Sequence, residues 1–341
     1  MPLWNRGTSR PPDPLRDIFE QMKGPGMRWG ILGAAKIART ALLPAIQAAE
    51  GVELVALGTG DAGKAAPFAA VVPGLRVMGY DALLADPGVD AVYIPLPNHL
   101  HVDWTLRALA AGKHVLCEKP LALTAPEIDR LITARDAAGL LAAEAFMVCH
   151  HPQWARLRAL LADGAIGDLG HVEGMFTYRN TDMGNIRNRP ETGGGGLRDI
   201  GVYPLVTTRF ATGAEPGAIR ADIRRENGVD VFARVWADFP GFTFSMHCGM
   251  RLQRRQDMVF HGSTGWIRMT APFNPPQMGE AQIVVHRADG SVLVERFADV
   301  EQYRLMVENF GLAARGEAAF ACPLEFSRGN QVAVDAILAA G

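Results

Sequence analysis

The sequence is short of cysteine, has no long apolar run and carries no excess of charge of either sign, and each shortage removes a class of protein. Its four cysteines, Cys117, Cys149, Cys248 and Cys322, are too scattered for a disulfide framework or a Cys-x-x-Cys metal or redox motif. A reducing cytoplasm fits that usage. A membrane-spanning helix needs ~20 largely apolar residues, and the best uncharged stretches, Ala65 to Leu75 and Ile200 to Thr208, are far shorter. No membrane partner is expected. Lys and Arg number 34 against 36 Asp and Glu, leaving no positive excess to displace counterions from a polyanion. Nucleic acid is therefore not an expected partner either. His99, His101, His150 and His151 lack further ligands at any zinc spacing, so no metal is expected.

What is present is enough apolar material for two packed units. Hydrophobic residues make up 48% of 341 positions, too apolar for disorder, and single cores stop growing near ~250 residues. Residues 1–26 carry Arg6, Arg10 and Arg16 among Pro11, Pro12, Pro14 and Pro25, and read as a loose extension without the apolar core of an export signal. Residues 27–150 alternate short apolar strands with amphipathic helices, which predicts a parallel, doubly wound sheet. Thr124 followed by Glu127 has the capping-box spacing of a helix start. Residues 151–341 change texture. Val231 to Phe239, Phe242 to Cys248 and Gln282 to His286 alternate between turn residues, as in a mostly antiparallel sheet. Val235 to Phe239 and Phe242 to Met246 flank Pro240-Gly241 and predict a hairpin. Tyr303, Met306, Val307 and Phe310 form one stripe of a closing helix.

The first strand runs into Gly33-Ala34-Ala35-Lys36-Ile37-Ala38, where a tight turn opens a helix whose N-terminal N–H groups suit a pyrophosphate. Ala35 stands where the dinucleotide fingerprint has its second glycine. The next strand exits through Thr59, Gly60, Asp61 and Lys64. Asp61 suits a free ribose 2′-OH, Lys64 and Thr59 suit a 2′-phosphate, and Asp61 as an ordinary helix N-cap is an equal reading. NAD and NADP both remain open.

Two strings end later strands: Tyr93-Ile94-Pro95-Leu96-Pro97-Asn98-His99 and Gly112-Lys113-His114-Val115-Leu116-Cys117-Glu118-Lys119-Pro120. With Glu144-Ala145-Phe146-Met147 and Gly193-Gly194-Gly195-Gly196-Leu197-Arg198-Asp199-Ile200-Gly201-Val202-Tyr203-Pro204, in that order, the chain from Arg28 onward resembles the Gfo/Idh/MocA family of NAD(P)-dependent oxidoreductases. Tyr203, where many members have His, is similar to the branch holding glucose-fructose oxidoreductase, D-xylose dehydrogenase and dihydrodiol dehydrogenase. The resemblance implies a Rossmann domain, then a large open sheet that pairs subunits into a homodimer or homotetramer. It implies a sugar, polyol or cyclic diol as substrate. It makes Lys119 the catalytic lysine, Asp199 and Tyr203 the acid and proton-transfer residue, and Pro120 a proline often preceded by a cis bond. Pro95, Leu96, Asn98, His99 and Glu118 border the cofactor, and Arg187 lines the substrate side. A cofactor-binding sensor without turnover and an NAD-assisted lyase or glycosidase are the alternatives.

The residues suit hydride chemistry on an alcohol or carbonyl. The cofactor supplies the hydride, and the protein must exchange the hydroxyl proton. Tyr203 suits that task, and a nearby ammonium such as Lys119 is expected to lower its pKa. Asp199 and Tyr203, four apart, share one side of a helix, where Asp199 either accepts from substrate or orients Lys119. Pro204 predicts a helix start or a kink.

Overall fold

The computed structural model describes residues 26–341. Apart from Gly26, the extension read at the N-terminus lies outside the described residues. The first sheet forms where short apolar strands alternate with helices: β1 (Met27–Leu32), α1 (Leu43–Ala48), β2 (Val52–Gly58), α2 (Ala62–Ala69), β3 (Arg76–Met78), α3 (Tyr80–Ala85), β4 (Ala91–Ile94), α4 (His101–Ala110), β5 (His114–Cys117), α5 (Ala125–Ala138) and β6 (Ala142–Glu144). All six strands are parallel, in the order β3-β2-β1-β4-β5-β6. Helices cover both faces of such a sheet, so β4 and β6 bury every residue. The strand order reverses between β1 and β4. Loops diverge at that switch point and leave a crevice at the carboxyl edge of the sheet. The start of α5 is fixed as the sequence implies, with the Thr124 N–H donating to the Glu127 carboxylate at 2.9 Å.

The second half contains α6 (Pro152–Ala162), β7 (Leu169–Arg179), α7 (Val202–Thr212), β8 (Ile219–Glu226), β9 (Val229–Phe239), β10 (Phe242–Gly249), β11 (Arg251–Gly262), β12 (Gly265–Met269), α8 (Pro275–Met278), β13 (Ala281–Arg287) and β14 (Val292–Phe297). Its eight strands run β14-β13-β12-β11-β7-β10-β9-β8. Neighbours are antiparallel except β7 and β10. The predicted hairpin is present, with Phe239 opposite Phe242. Along β9 the buried residues Val231, Ala233, Val235 and Ala237 alternate with Arg234, Trp236 and Asp238 on the open face. One face thus packs under helices while the other is bare.

The chain closes with α9 (Gln302–Ala314) and α10 (Leu324–Ala340), which return to the first sheet. The stripe read in the sequence is the reason. Met306, Val307 and Phe310 are fully buried, and Phe310 meets Trp29 of β1 with ring centroids 5.0 Å apart. The Ala125 N–H at the start of α5 donates to Asp335 of α10 at 2.9 Å. These helices belong to the second half in sequence and to the nucleotide half in packing. One apolar core therefore runs from Trp29 through Phe146 and Trp154 to Tyr203.

Phe310→Ala empties a space that both halves enclose and should lower unfolding stability by about 3–5 kcal/mol. Urea unfolding followed by intrinsic fluorescence measures this, and a loss below about 1 kcal/mol would place Phe310 outside the shared core.

Candidate active site

At the first crevice loop, Gly33 adopts φ +115°, and a Cβ there would stand 2.9 Å from the Leu96 side chain. Only glycine fits. A π-helical turn, Ala38–Leu42, then leads into α1 with no side-chain cap and no acid in its first turn, so its leading N–H groups are left for an external anion. Ala34, Ala35 and Ile37 are half-buried beside this turn and Lys36 is exposed. The Ala35 methyl therefore does not displace the loop from the form a pyrophosphate needs. At the exit of β2, Asp61 is the N-cap of α2: its carboxylate accepts from the Lys64 N–H at 3.2 Å, and its own N–H donates to Thr59 Oγ1 at 3.1 Å. The Asp61 and Lys64 side chains are exposed and 3.8 Å apart, so both charges stay at the ribose position.

The next two loops are tied together. Pro95 and Leu96 are buried and His99 is exposed. His101, fully buried, places its ring nitrogens 2.7 Å from the Leu96 carbonyl and 2.8 Å from the Pro120 carbonyl. Asn98 donates to the Gly193 carbonyl at 2.9 Å, joining the cofactor half to the glycine run of the other half. The Lys119–Pro120 bond is cis. Beneath it, buried Glu144 accepts from the Leu121 N–H at 2.8 Å, and burial pushes its carboxyl up to about 7. The Tyr93 hydroxyl donates to Glu118. Burial raises the Glu118 carboxyl even though Tyr93 and Lys119 oppose the shift.

Lys119 reaches across the crevice. Its ammonium donates to Asp199 twice, to the carbonyl at 2.6 Å and to Oδ1 at 3.0 Å. The other carboxylate oxygen of Asp199 accepts from the Tyr178 hydroxyl at 2.7 Å and pairs with Arg187 Nε at 2.8 Å. Burial by itself would raise Asp199, but the charges of Lys119 and Arg187 and the Tyr178 hydrogen bond outweigh it and hold the carboxyl below its usual range. Asp199 in turn raises Arg187. The Arg187 side chain keeps 43% of its surface open while that of Asp199 keeps 12%. An ionised carboxylate thus stays dry, and part of a guanidinium faces the cleft.

Tyr203 lies on the same side as Asp199, and Lys119 Nζ is 5.3 Å from its ring centroid. Phe146, Phe176 and Phe273 surround the ring, and its hydroxyl meets only the Met147 sulfur, at 3.7 Å. The expected lowering by Lys119 does not occur. Burial dominates, Tyr303, Glu118 and Asp199 add to it, and the phenol is pushed well above its ordinary value. Tyr203 is a neutral proton donor here. The Pro204 expectation resolves as a π-helical turn, Leu197–Gly201, ahead of α7. It places the proline in the first α-turn, where its missing N–H is tolerated.

The glycine run has a structural cause that the sequence did not show. Gly195 is at φ +122°, and a Cβ on it would stand 2.1 Å from the Asp230 carboxylate. That carboxylate, from β9, accepts from the Leu197 N–H at 2.6 Å. Tyr178 and Asp230 both lie in alternating strands, where no local motif marks them. Glu144 and Tyr93 do fall within the quoted strings.

Residues 27–146 match the family model described as "Oxidoreductase family, NAD-binding Rossmann fold", and residues 154–268 match the GFO/IDH/MocA C-terminal domain. An uncharacterised oxidoreductase of Rhizobium meliloti is 39% identical over 91% of this chain and 96% of its own length. A dTDP-3,4-didehydro-2,6-dideoxy-alpha-D-glucose 3-reductase of Streptomyces antibioticus is 37% identical over 86% of this chain and 90% of its own. Among solved structures, a 3-ketoreductase of Actinomadura kijaniata in complex with NADP and TDP-benzene is 33% identical, with a TM-score of 0.85 over 92% of this chain and 98% of that one. Matched through both of its halves and along most of its length, the chain belongs to the GFO/IDH/MocA family of oxidoreductases.

Proposed function

We propose that the chain is an NAD(P)-dependent oxidoreductase that moves a hydride between nicotinamide and a sugar-like carbon, working as a carbonyl reductase. The observation that carries the reading is the meeting of Lys119, Asp199, Arg187 and Tyr203 at the carboxyl edge of the Rossmann sheet. The turn at Gly33, with its uncapped helix start, fits a pyrophosphate, so Gly33, Ala34, Ala35, Lys36 and Ile37 would hold the dinucleotide, with Thr59 and Asp61 at the ribose and Pro95, Leu96, Asn98, His99 and Glu118 along its far end. Bound there, the reduced nicotinamide supplies the hydride. NAD and NADP both suit an exit loop that keeps one carboxylate and one ammonium 3.8 Å apart.

The protein's own share is the oxygen. An ammonium has three donors, and Asp199 takes two of those on Lys119. The third is left for the substrate oxygen, which Lys119 polarises. Tyr203, kept protonated by burial, gives its proton to that oxygen as the carbon takes the hydride. Arg187, anchored on Asp199 through Nε, presents its remaining N–H groups to substrate hydroxyls. The Actinomadura ketoreductase has been crystallised with substitutions at one lysine and one tyrosine, the residue types of this pair.

Four free, buried cysteines support a cytoplasmic location, and among the described residues no helix is long and apolar enough to cross a membrane. The open sheet face supports pairing with a second copy of the chain. One row across the strands reads Trp236, Ser245, Glu173, Val259, Arg268, Val284 and Val294, with Trp236 41% and Val294 44% exposed. Apolar and oppositely charged residues in one row form a surface that can face its own copy.

Reduction of keto sugars should appear as loss of the reduced-nicotinamide absorbance, and Lys119→Ala should slow it by about a hundred- to ten-thousand-fold. Normal turnover by that variant would remove Lys119 from the chemistry. Tight cofactor binding with no turnover on a broad panel would favour the sensor alternative. Product formed without net cofactor use would favour the lyase. Light scattering behind size exclusion should give a dimer or tetramer, which Trp236→Glu should dissociate. A monomeric wild type would contradict pairing through the sheet.

A further inference from the structure

The proposed chemistry makes no use of the most deeply buried carboxylate in the sheet half. Asp230 is 5% exposed and sits on β9. Its Oδ2 accepts from the Leu197 N–H at 2.6 Å, and both its oxygens lie against Gly195 and Gly196. Leu197 opens the continuous helical run of the π-turn and α7, which has no side-chain cap from its own segment. Asp230 is therefore a cap delivered from a different strand, placing negative charge at the positive end of the helix dipole. Asp199 follows two residues later, with its N–H bound to the Gly195 carbonyl at 3.1 Å. The glycine run also holds the substrate-side segment, since the Gly195 N–H donates to the Arg187 carbonyl at 3.0 Å and the Gly194 N–H to the Arg189 carbonyl at 3.1 Å. One carboxylate thus fixes a turn from which both Asp199 and the backbone of Arg187 are held.

We propose that Asp230 is a positioning residue for the reaction, its carboxylate fixing the Gly195–Leu197 turn and through it the placement of Asp199 and Arg187 around Lys119. The inference rests on the catalytic reading of Lys119 and Asp199 given above. Burial raises the Asp230 carboxyl to about 6, against the Leu197 N–H and the cations Arg198, on the helical run, and Arg225, on β8. The thiol of Cys248 faces it from β10 and is itself pushed up by burial. Protonation near pH 6 removes the charge that the helix start and the turn are built around, and turnover falls. Stability moves the other way. A folded pKa above the unfolded value of ~3.9 means that the folded chain binds this proton more tightly, so the group's contribution to stability rises as pH drops from about 6 towards 4. Loss of activity without loss of fold is the signature.

The test is the pH profile of kcat for the full chain, run with Asp230→Asn, Asp230→Ala and Lys119→Ala. The wild type should show an acid limb near pH 6. Asp230→Asn keeps an oxygen to accept from Leu197 and has no proton to gain, so it should retain at least about a third of kcat and lose that limb. Asp230→Ala should lower kcat about tenfold or more while leaving the Kd for NADPH, read by fluorescence, within about twofold. That binding also shows that the cofactor half is folded. If the acid limb persists unmoved in Asp230→Asn, or if Asp230→Ala turns over like the wild type, the positioning role is overturned. If Lys119→Ala turns over normally, the catalytic reading fails instead, which separates the two.

Discussion

The Asp199 carboxylate is the contact on which the two halves of the site depend. It is nearly dry, yet ionised, because two cations and a phenol meet it: Lys119 from the Rossmann half, Arg187 from the segment after β7, and Tyr178 from β7 itself. A buried anion with one partner missing is costly, because the remaining charge keeps its desolvation penalty without full compensation. The arrangement therefore holds each donor in place. Lys119 cannot swing back to solvent without leaving Asp199 uncompensated, and the crevice between sheets becomes a site with one fixed ammonium proton free for substrate.

Around that contact the fold supplies supports of a different kind. His101 ties the loop after β4 to the loop after β5, and Asn98 ties the first of these to the glycine run. Glu144 holds the backbone just past the cis bond, and Asp230 holds the turn before Asp199. Each is a polar side chain satisfying a backbone group at a place where irregular chain is buried, which is what a loop-built site needs to stay in register. Tyr203 is the contrast. Its hydroxyl has only a thioether for company, and its aromatic surroundings make the phenol the stable form, which favours giving a proton to a developing alkoxide over taking one from an alcohol.

Much of this was legible in the sequence, and the limit is physical. The parallel sheet follows from apolar runs alternating with helices, and Lys119, Asp199 and Tyr203 are marked because the loops that carry them are spelled by contiguous strings. Asp61 was equally readable as a cap or a ribose ligand, and the structure shows it capping α2. Residues that act across the fold leave no local mark. Tyr178 and Asp230 sit in strands whose alternation is that of any half-buried sheet, and their partners lie 21 and 33 residues away in sequence. The direction of the Tyr203 shift was misread for the same reason: spacing shows a neighbouring lysine, but only packing shows four aromatic and apolar neighbours that exclude water from the phenol. Nor does spacing show that α9 and α10 return to the first sheet, since an amphipathic stripe states that a face is buried and not against what.

The central claim is that Lys119 and Asp199 act as one unit, and the coupling between them is measurable. Single-turnover hydride transfer from bound NADPH to a keto sugar, followed by stopped flow, should be slowed by Lys119→Ala and by Asp199→Asn separately. The account predicts that the protein carrying both substitutions is no slower than Lys119→Ala alone, within about threefold. A double variant slowed by the full product of the two single losses would contradict it.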